Sequence, residues 1–497
     1  MSVLAFPAIV AVSALLAGCN GPSGYTLDST GSGSSSGTAS SSGTAGGGGT
    51  TTPTYTVGGT VTGLAANATG LVIQAGTGLT LPIVSNGRFV FTNSFAPGAS
   101  YQITVQTQPG TPVQYCRVTA GTGVISDADV SNVLVNCATV GQYLFAANPF
   151  DNNGTLAVFT IDPTSGRLTA VTGSPYVLPE SYPLDIAVDP TGQFLYVTNT
   201  GAASVSTESI GTGGQLALDT SVASTGTSSN EPSSIAIDPA GQYLYVGSND
   251  NPNGTVEAYT LNGGVLTPAA GALPASVYPA GNNPYSLAVD ATNGLLFGAN
   301  LYDGDLFDYT IASGGLLTAV TGSPFQFQQS LPINLPYAVA VHPTGKWLYV
   351  TDNMASSLSL YTYDVHGVLT LAAVYSGNAL GGLSPNGLAI DATGRLLYVA
   401  NTGSGSVSGY IINQGTGTLT PVAGSPFTTS GVASAGTPMS VRIDPSSQFV
   451  YVSNGDAGTI SVFSVNFANG VLTPVGAPVI SILASGGTGG PSALAIE

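Results

Sequence analysis

The chain has 497 residues but only 6 Lys+Arg against 24 Asp+Glu, a formal net charge of −18 at pH 7. That balance excludes nucleic-acid binding, which needs phosphate neutralisation, and electrostatic docking on anionic lipid. The Gly-x-Gly runs, such as residues 211–214, fall between strand-like segments, so neither a dinucleotide fingerprint nor a phosphate loop is present.

Residues 1–18 are mostly apolar and end in Leu16-Ala17-Gly18, followed by Cys19. They look like a bacterial lipoprotein signal peptide, with Cys19 as the lipid-modified first residue of the exported chain. The apolar run is too short for a comfortable membrane span. It lacks the Lys or Arg that export signals carry ahead of it, so a start further upstream and a buried N-terminal strand stay open. Residue 20 is Asn, not the Asp of an inner-membrane retention signal, which points to the outer membrane. The rest of segment 19–53 is mostly Gly, Ser and Thr and reads as a flexible tether spanning roughly 30 Å.

Residues 54–138 are predicted to form a separate all-β module. Strand-like segments fall at 55–61, 71–74, 79–84, 88–92, 101–106, 115–118 and 133–136, and Asn86-Gly87 is a hairpin signal. Seven short strands in this length suggest an immunoglobulin-like sandwich. The segment also resembles a small module of bacterial surface lipoproteins. With Cys19 lipidated, the two remaining cysteines, Cys116 and Cys137, lie on predicted neighbouring strands in an oxidising compartment and are expected to form a disulfide.

From residue 141 onward one unit repeats. A Leu/Val-Tyr/Phe run ending in Asn occurs at 144–148, 195–199, 244–249, 296–300, 348–353, 397–401 and 450–454. A preceding strand opens at Pro183, Pro232, Pro284, Pro336, Pro385, Pro438 and Pro491. Third and fourth strands follow, and several units add Gly-Ser-Pro-aromatic, as at 173–176, 322–325 and 424–427. Four short strands per period of about 50 residues predict a seven-bladed β-propeller over 141–497. The series begins with a second-strand motif and ends with a first-strand motif, so the last strand should complete the first blade. The Asp-Pro-x-Gly-x-Phe/Tyr-Leu-Tyr-Val and Gly-x-Leu-Thr…Gly-Ser-Pro-Phe segments resemble the YVTN-repeat and seven-bladed lactonase-like propellers. That family includes 6-phosphogluconolactonase-type enzymes, so the resemblance implies lactone opening as one activity.

The loop entering the innermost strand and the loop between strands two and three open on one face. This places Asp185, Glu231, Asn283, Tyr285, Asn334, Tyr337 and Asn386 on a ligand-binding rim, joined by Asp151, Asp250, Asp303, Asp305 and Asp456. Such residues also close turns through their own backbone. Two ligand readings compete with that one: a Ca²⁺ site around Asp151 or Asp250, the one cofactor the acidic turns leave open, and a glycan surface of Tyr, Asn and Asp. His342 replaces the Asp of other repeats at a turn away from this face, and His366 sits in a solvated turn. Arg442 stands where the other repeats have Ala187, Ala236, Ala288, Ala340, Ala389 and Ala495. It must find an inter-blade carboxylate or reach the channel as a clamp for an anion or carbonyl, which makes it the one catalytic candidate. The reading is a monomeric, lipid-anchored envelope protein serving as a binding platform for a glycan, cell-wall or protein ligand. The alternative is a lactonase-type hydrolase acting on sugar lactones.

Overall fold

The computed structural model describes residues 53–497 apart from residue 77 and segments 110–113, 140, 152–153, 181, 225–230, 250–252, 271–275, 328–333, 377–380, 430–436 and 482–489. The expected signal, Cys19 and most of the tether therefore lie outside the described residues. Among the described residues no helix is long and apolar enough to cross a membrane.

The N-terminal module consists of two four-stranded sheets. One runs in the order Gly87–Phe95, Tyr55–Thr62, Val130–Thr139, Gln114–Thr119, with Tyr55–Thr62 parallel to Val130–Thr139. The other runs Leu79–Pro82, Val72–Ala75, Ser100–Thr107, Thr122–Val124. Alternate apolar residues such as Val57, Ile73, Phe91 and Val135 form one core. The eighth strand, Thr122–Val124, escaped the sequence reading because only three residues pair, and its Gly123 weakens any strand signal. Cys116 and Cys137 face each other across the ladder and are joined by the expected disulfide.

The remaining sheets are the seven blades. Blade 2 shows the plan: Pro183–Val188 innermost, then Phe194–Asn199, Ser204–Ile210 and Leu216–Ser224 outermost. The innermost strands of blades 3 to 7 are Glu231–Ile237, Pro284–Asp290, Pro336–Val341, Pro385–Ile390 and Pro438–Ile443. Blade 1 joins the two ends of the repeat series. Its innermost strand is Ala493–Ile496, antiparallel to Tyr143–Asn148, with Leu494 opposite Ala146. The ring is thus closed by one strand from the end of the chain.

Each blade buries one face against the next, and there is one apolar cluster per blade interface, seven in all. The Tyr of the second strand explains part of the repeat. Tyr349 is fully buried and donates its hydroxyl to the Gly417 carbonyl of the next blade at 2.6 Å; Tyr398 does the same to Gly470 at 2.7 Å. At the closing seam Tyr451 of blade 7 donates to Gly166 of blade 1 at 3.2 Å, so the joint uses the same bond as blades 5 and 6. Gly166 and Gly417 have φ of +71° and +73°, and a Cβ there would collide with Phe449 and Trp347, so both positions require glycine.

The Gly-Ser-Pro-aromatic segments divide the outer strand in two. In the gap the hydroxyls of Ser174, Ser323 and Ser425 accept the N–H groups of Val158, Asp308 and Gly409 at 2.8 to 3.0 Å. The Asn that ends the second strand is a structural element. Asn401, for instance, donates to the hydroxyls of Ser406 and Ser408. In blades 3 and 5 the structure corrects the motif by one residue: Ser248 and Asp352, not Asn249 and Asn353, pair with the leading prolines.

Candidate functional site

Every innermost strand from blade 2 to blade 7 has a register shift immediately after its proline. A bulge of this kind bends the strand and re-aims the residues that follow. Hydroxyls on the second strand hold it: Thr198 accepts from Asp185 N–H at 2.9 Å, Thr351 from Ala338 at 3.0 Å and Ser453 from Ser440 at 2.8 Å. The first and second residues after the proline thereby turn into the mouth of the central channel. They line a cavity of about 160 Å³ whose polar wall includes Asp185, Ser233, Tyr285, Tyr337, Ser440 and Arg442.

Asp185 is pinned between blades 2 and 3. One carboxylate oxygen accepts the N–H of Ile186 at 2.9 Å and the other accepts Ile235 N–H from the next blade at 3.1 Å. Burial raises its carboxyl above the usual range, opposed by the attraction of Arg442 and by these two N–H groups. In blade 4 the same inter-blade bond is made by the uncharged Ser286, whose hydroxyl accepts Val339 N–H at 3.1 Å. This inter-blade bond therefore does not need a charge, and blades 5, 6 and 1 carry Ala338, Gly387 and Ala493 at the same place.

Arg442 stands opposite Tyr451 in register, as Ala187, Ala236, Ala288, Ala340, Ala389 and Ala495 stand opposite Tyr196, Tyr245, Phe297, Tyr349, Tyr398 and Phe145. Its guanidinium donates to the Val441 carbonyl at 3.0 Å. Burial lowers its pKa, and Asp185 supports its charge. The innermost strands of blades 7 and 2 are both neighbours of the closing strand Ala493–Ile496, so Arg442 and Asp185 flank that strand. Arg442 thus has a carboxylate counter-charge on another blade and lines the channel cavity.

Tyr285 and Tyr337 stack with centroids 4.5 Å apart, and Tyr337 donates its hydroxyl to that of Tyr285 at 2.9 Å. Burial raises both phenols, so both stay protonated at neutral pH, and the proton of Tyr285 is directed away from its partner. The cavity is therefore lined by a carboxylate, a guanidinium and a phenolic donor, contributed by blades 2, 7 and 4. That set can take a proton from water and stabilise negative charge on an oxygen.

Among the expected rim residues, Asp185, Tyr285 and Tyr337 line the cavity and four others do not. Glu231 is exposed at the start of its strand. Asn283 is buried with φ +62°, the left-handed turn conformation that Asn tolerates. Asn386 is buried and accepts a hydrogen bond from the Asn353 side chain. Asn334 donates to the Phe327 carbonyl at 2.8 Å. The calcium reading gains no support at Asp151, which is buried and accepts the Thr155 hydroxyl at 3.0 Å; no group of three metal-ligating side chains occurs among the described residues. Asp250 lies outside the described residues. Asp305 accepts from Asn300 at 2.7 Å, Asp303 from Asn282 N–H at 2.7 Å, and Asp456 is exposed. His342 is buried on the other end, donating Nε2–H to Gly394 at 2.8 Å while burial lowers its pKa, so it is neutral and structural. Ser233, Ser440 and Ser492 line the cavity unannounced by the sequence. Their only signal was a place one or two residues after a blade-opening proline.

The model of the family described as "Lactonase, 7-bladed beta-propeller" matches residues 104–221, 217–334 and 318–433. This chain belongs to the seven-bladed β-propeller lactonase family. Curated relatives are the 6-phosphogluconolactonases of Serratia proteamaculans (strain 568), 23% identical over 203 residues, and of Pectobacterium carotovorum subsp. carotovorum (strain PC1), 30% identical over 151 residues. The matches cover 41% and 29% of this chain and 59% and 43% of those relatives, so the lactonase-family chain spans about half their length. Among solved structures, a periplasmic gluconolactonase of Pseudomonas aeruginosa aligns with a TM-score of 0.56 at 18% identity, covering 71% of this chain and 99% of that one. A protein from Lactobacillus plantarum aligns with a TM-score of 0.57 at 18% identity, covering 72% and 99%. At such identities these structures establish the shared propeller. The comparisons favour the hydrolase alternative and give no support to a binding platform.

Proposed function

We propose that this propeller hydrolyses a sugar lactone in the channel cavity. The observation that carries the reading is the Asp185–Arg442 pair, two charges placed in one cavity where other blades serve the same positions with Ser286 and with alanine. The names of the curated relatives support the reaction class. The cavity, smaller than the pockets that hold drug-sized ligands, suits one sugar ring.

In this reading the lactone carbonyl oxygen lies against Arg442. Asp185 takes a proton from water as the water oxygen bonds to the carbonyl carbon. The negative charge that grows on the carbonyl oxygen is offset by the guanidinium. When the ring C–O bond breaks, the proton passes from Asp185 to the departing alkoxide, leaving the open acid and a regenerated carboxylate. Tyr285 supplies a hydrogen bond to a substrate oxygen. A carboxyl raised above the ordinary range is a stronger base when ionised, which suits this role.

The test is proton release from a panel of sugar lactones by the full chain, beside Asp185→Ser and Arg442→Ala. Asp185→Ser reproduces the blade 4 arrangement and should fold. Hydrolysis above the spontaneous rate, reduced about 100-fold or more in each variant, supports the reading. Absence of turnover on every lactone, or turnover unchanged in Asp185→Ser, overturns it.

A further inference from the structure

Resting on the hydrolase reading, we propose that the cavity accepts uncharged sugar lactones and discriminates against their phosphate monoesters. A phosphate monoester brings a charge of about −1.5 to −2 at neutral pH. Proteins hold it with clustered Arg or Lys, or with the N–H groups at a helix N-terminus. Among the described residues the mouth of this channel offers no cluster of cations and no helix beyond three-residue 3-10 turns. Its cation is Arg442, and that charge is already opposed by Asp185 in the same cavity.

The other cations of the propeller lie away from this mouth. Arg167, Lys346 and Arg395 lie in turns at the opposite end, where third strands lead to fourth and first strands to second. Arg395 donates to the carbonyls of Phe467 at 2.7 Å and Ala468 at 2.6 Å. Arg88 and Arg117 belong to the N-terminal sandwich, no residue of which lines the cavity. The segments at 225–230, 271–275, 328–333, 430–436 and 482–489, which link outer strands to the next innermost strand, contain no Lys or Arg in their sequence. Meanwhile the mouth end carries exposed Glu231, Asp303 and Asp456. A dianion approaching this end meets repulsion, within a chain of net charge −18. A neutral ring does not, and the Tyr, Ser and Asp groups of the wall suit sugar hydroxyls.

The experiment compares gluconolactone with its 6-phosphate monoester on the full chain, at low and high ionic strength. The expected result is a kcat/KM at least about tenfold lower for the phosphorylated lactone at low salt, with the gap narrowing as salt screens the mouth. Glu231→Gln combined with Asp456→Asn, neither of which lines the cavity, should narrow it too while leaving the neutral substrate unchanged. Equal or faster turnover of the phosphate ester overturns the inference while the hydrolase reading survives. A gap that ignores both salt and the double variant also overturns it, because shape rather than charge would then be the cause. Turnover of neither compound sinks the hydrolase reading itself and this inference with it.

Discussion

Asp308 offers a quantitative test of how the blades are packed. It is fully buried in the third strand of blade 4, Asp305–Ile311. It stands opposite Phe297, where other blades place Val158, Ala258, Leu360 and Val462 opposite their own aromatic. Neither carboxylate oxygen has a well-formed hydrogen bond among the described residues. Burial pushes the carboxyl up to about 7, with the Ser323 hydroxyl opposing and the charge of Asp364 adding to the rise. Lifting a carboxyl from 3.8 to about 7 corresponds to ~4 kcal/mol of folding free energy. The native state holds this proton more tightly than the unfolded chain. The contribution is therefore complete below pH 3.8 and is lost as the pH rises through 7. Asp308→Val, which restores the residue of blades 1 and 7, removes the titration. Relative to the parent, the variant should gain nothing from this source at pH 4 and ~4 kcal/mol by pH 8. For a propeller of about 350 residues that amounts to a rise of roughly 5 °C in the unfolding midpoint. Other buried carboxyls titrate equally in both proteins and cancel. Thermal unfolding followed by circular dichroism from pH 4 to pH 8 reads the difference. A midpoint difference that stays constant with pH would refute the assignment of this charge to a desolvated site.

Other perturbations test the channel, the closure and the sandwich. Because burial holds the Asp185 carboxyl above the ordinary range, lactone hydrolysis should lose activity on acidification at a pH above that of a free carboxylate. Arg442→Ala removes the charge that opposes this rise, so the acid limb of its residual activity should move to higher pH, measured as kcat/KM against pH. Deleting residues 491–497 removes the innermost strand of blade 1 and exposes the apolar groups around Leu494; the product should aggregate or unfold by tens of degrees lower in a thermal scan, and a midpoint like the parent's would contradict ring closure by that strand. Replacing both Cys116 and Cys137 by Ser opens a loop with a sequence separation of 21 residues; the sandwich should lose about 3 kcal/mol in denaturant titration while lactone turnover stays constant.

The fold was legible because the same physical unit recurs. A proline opening a strand and an aromatic-rich run closing the next one recur at a spacing that only radial stacking of sheets satisfies, and the mismatched ends of the series specified the closing strand. The site was legible at one residue. Arg442 broke a row of six alanines, and a lone charge among small residues on an inner strand must answer to something. Its counterpart was on the rim list for a different reason, as one acidic residue near a proline, and nothing local connected the two. Asp185 and Arg442 are far apart along the chain and come to flank one strand only because the last strand slots between blades 7 and 2. The bulge after each proline is equally silent in the sequence, since it is built by hydroxyls such as Thr198 on the adjacent strand. That is why Glu231, Asn283 and Asn386 looked equivalent to Tyr285 and Tyr337 until the backbone was in view. A rim residue faces the channel only if it follows the proline and has no better partner. Asn386 satisfies the first condition and fails the second, because Asn353 claims its side chain. The same logic locates function in this ring: the scaffold repeats, and Asp185 and Arg442 are charges that replace residues supplied in neutral form by other blades and that, unlike Asp308, line the channel cavity, so chemistry should be sought there.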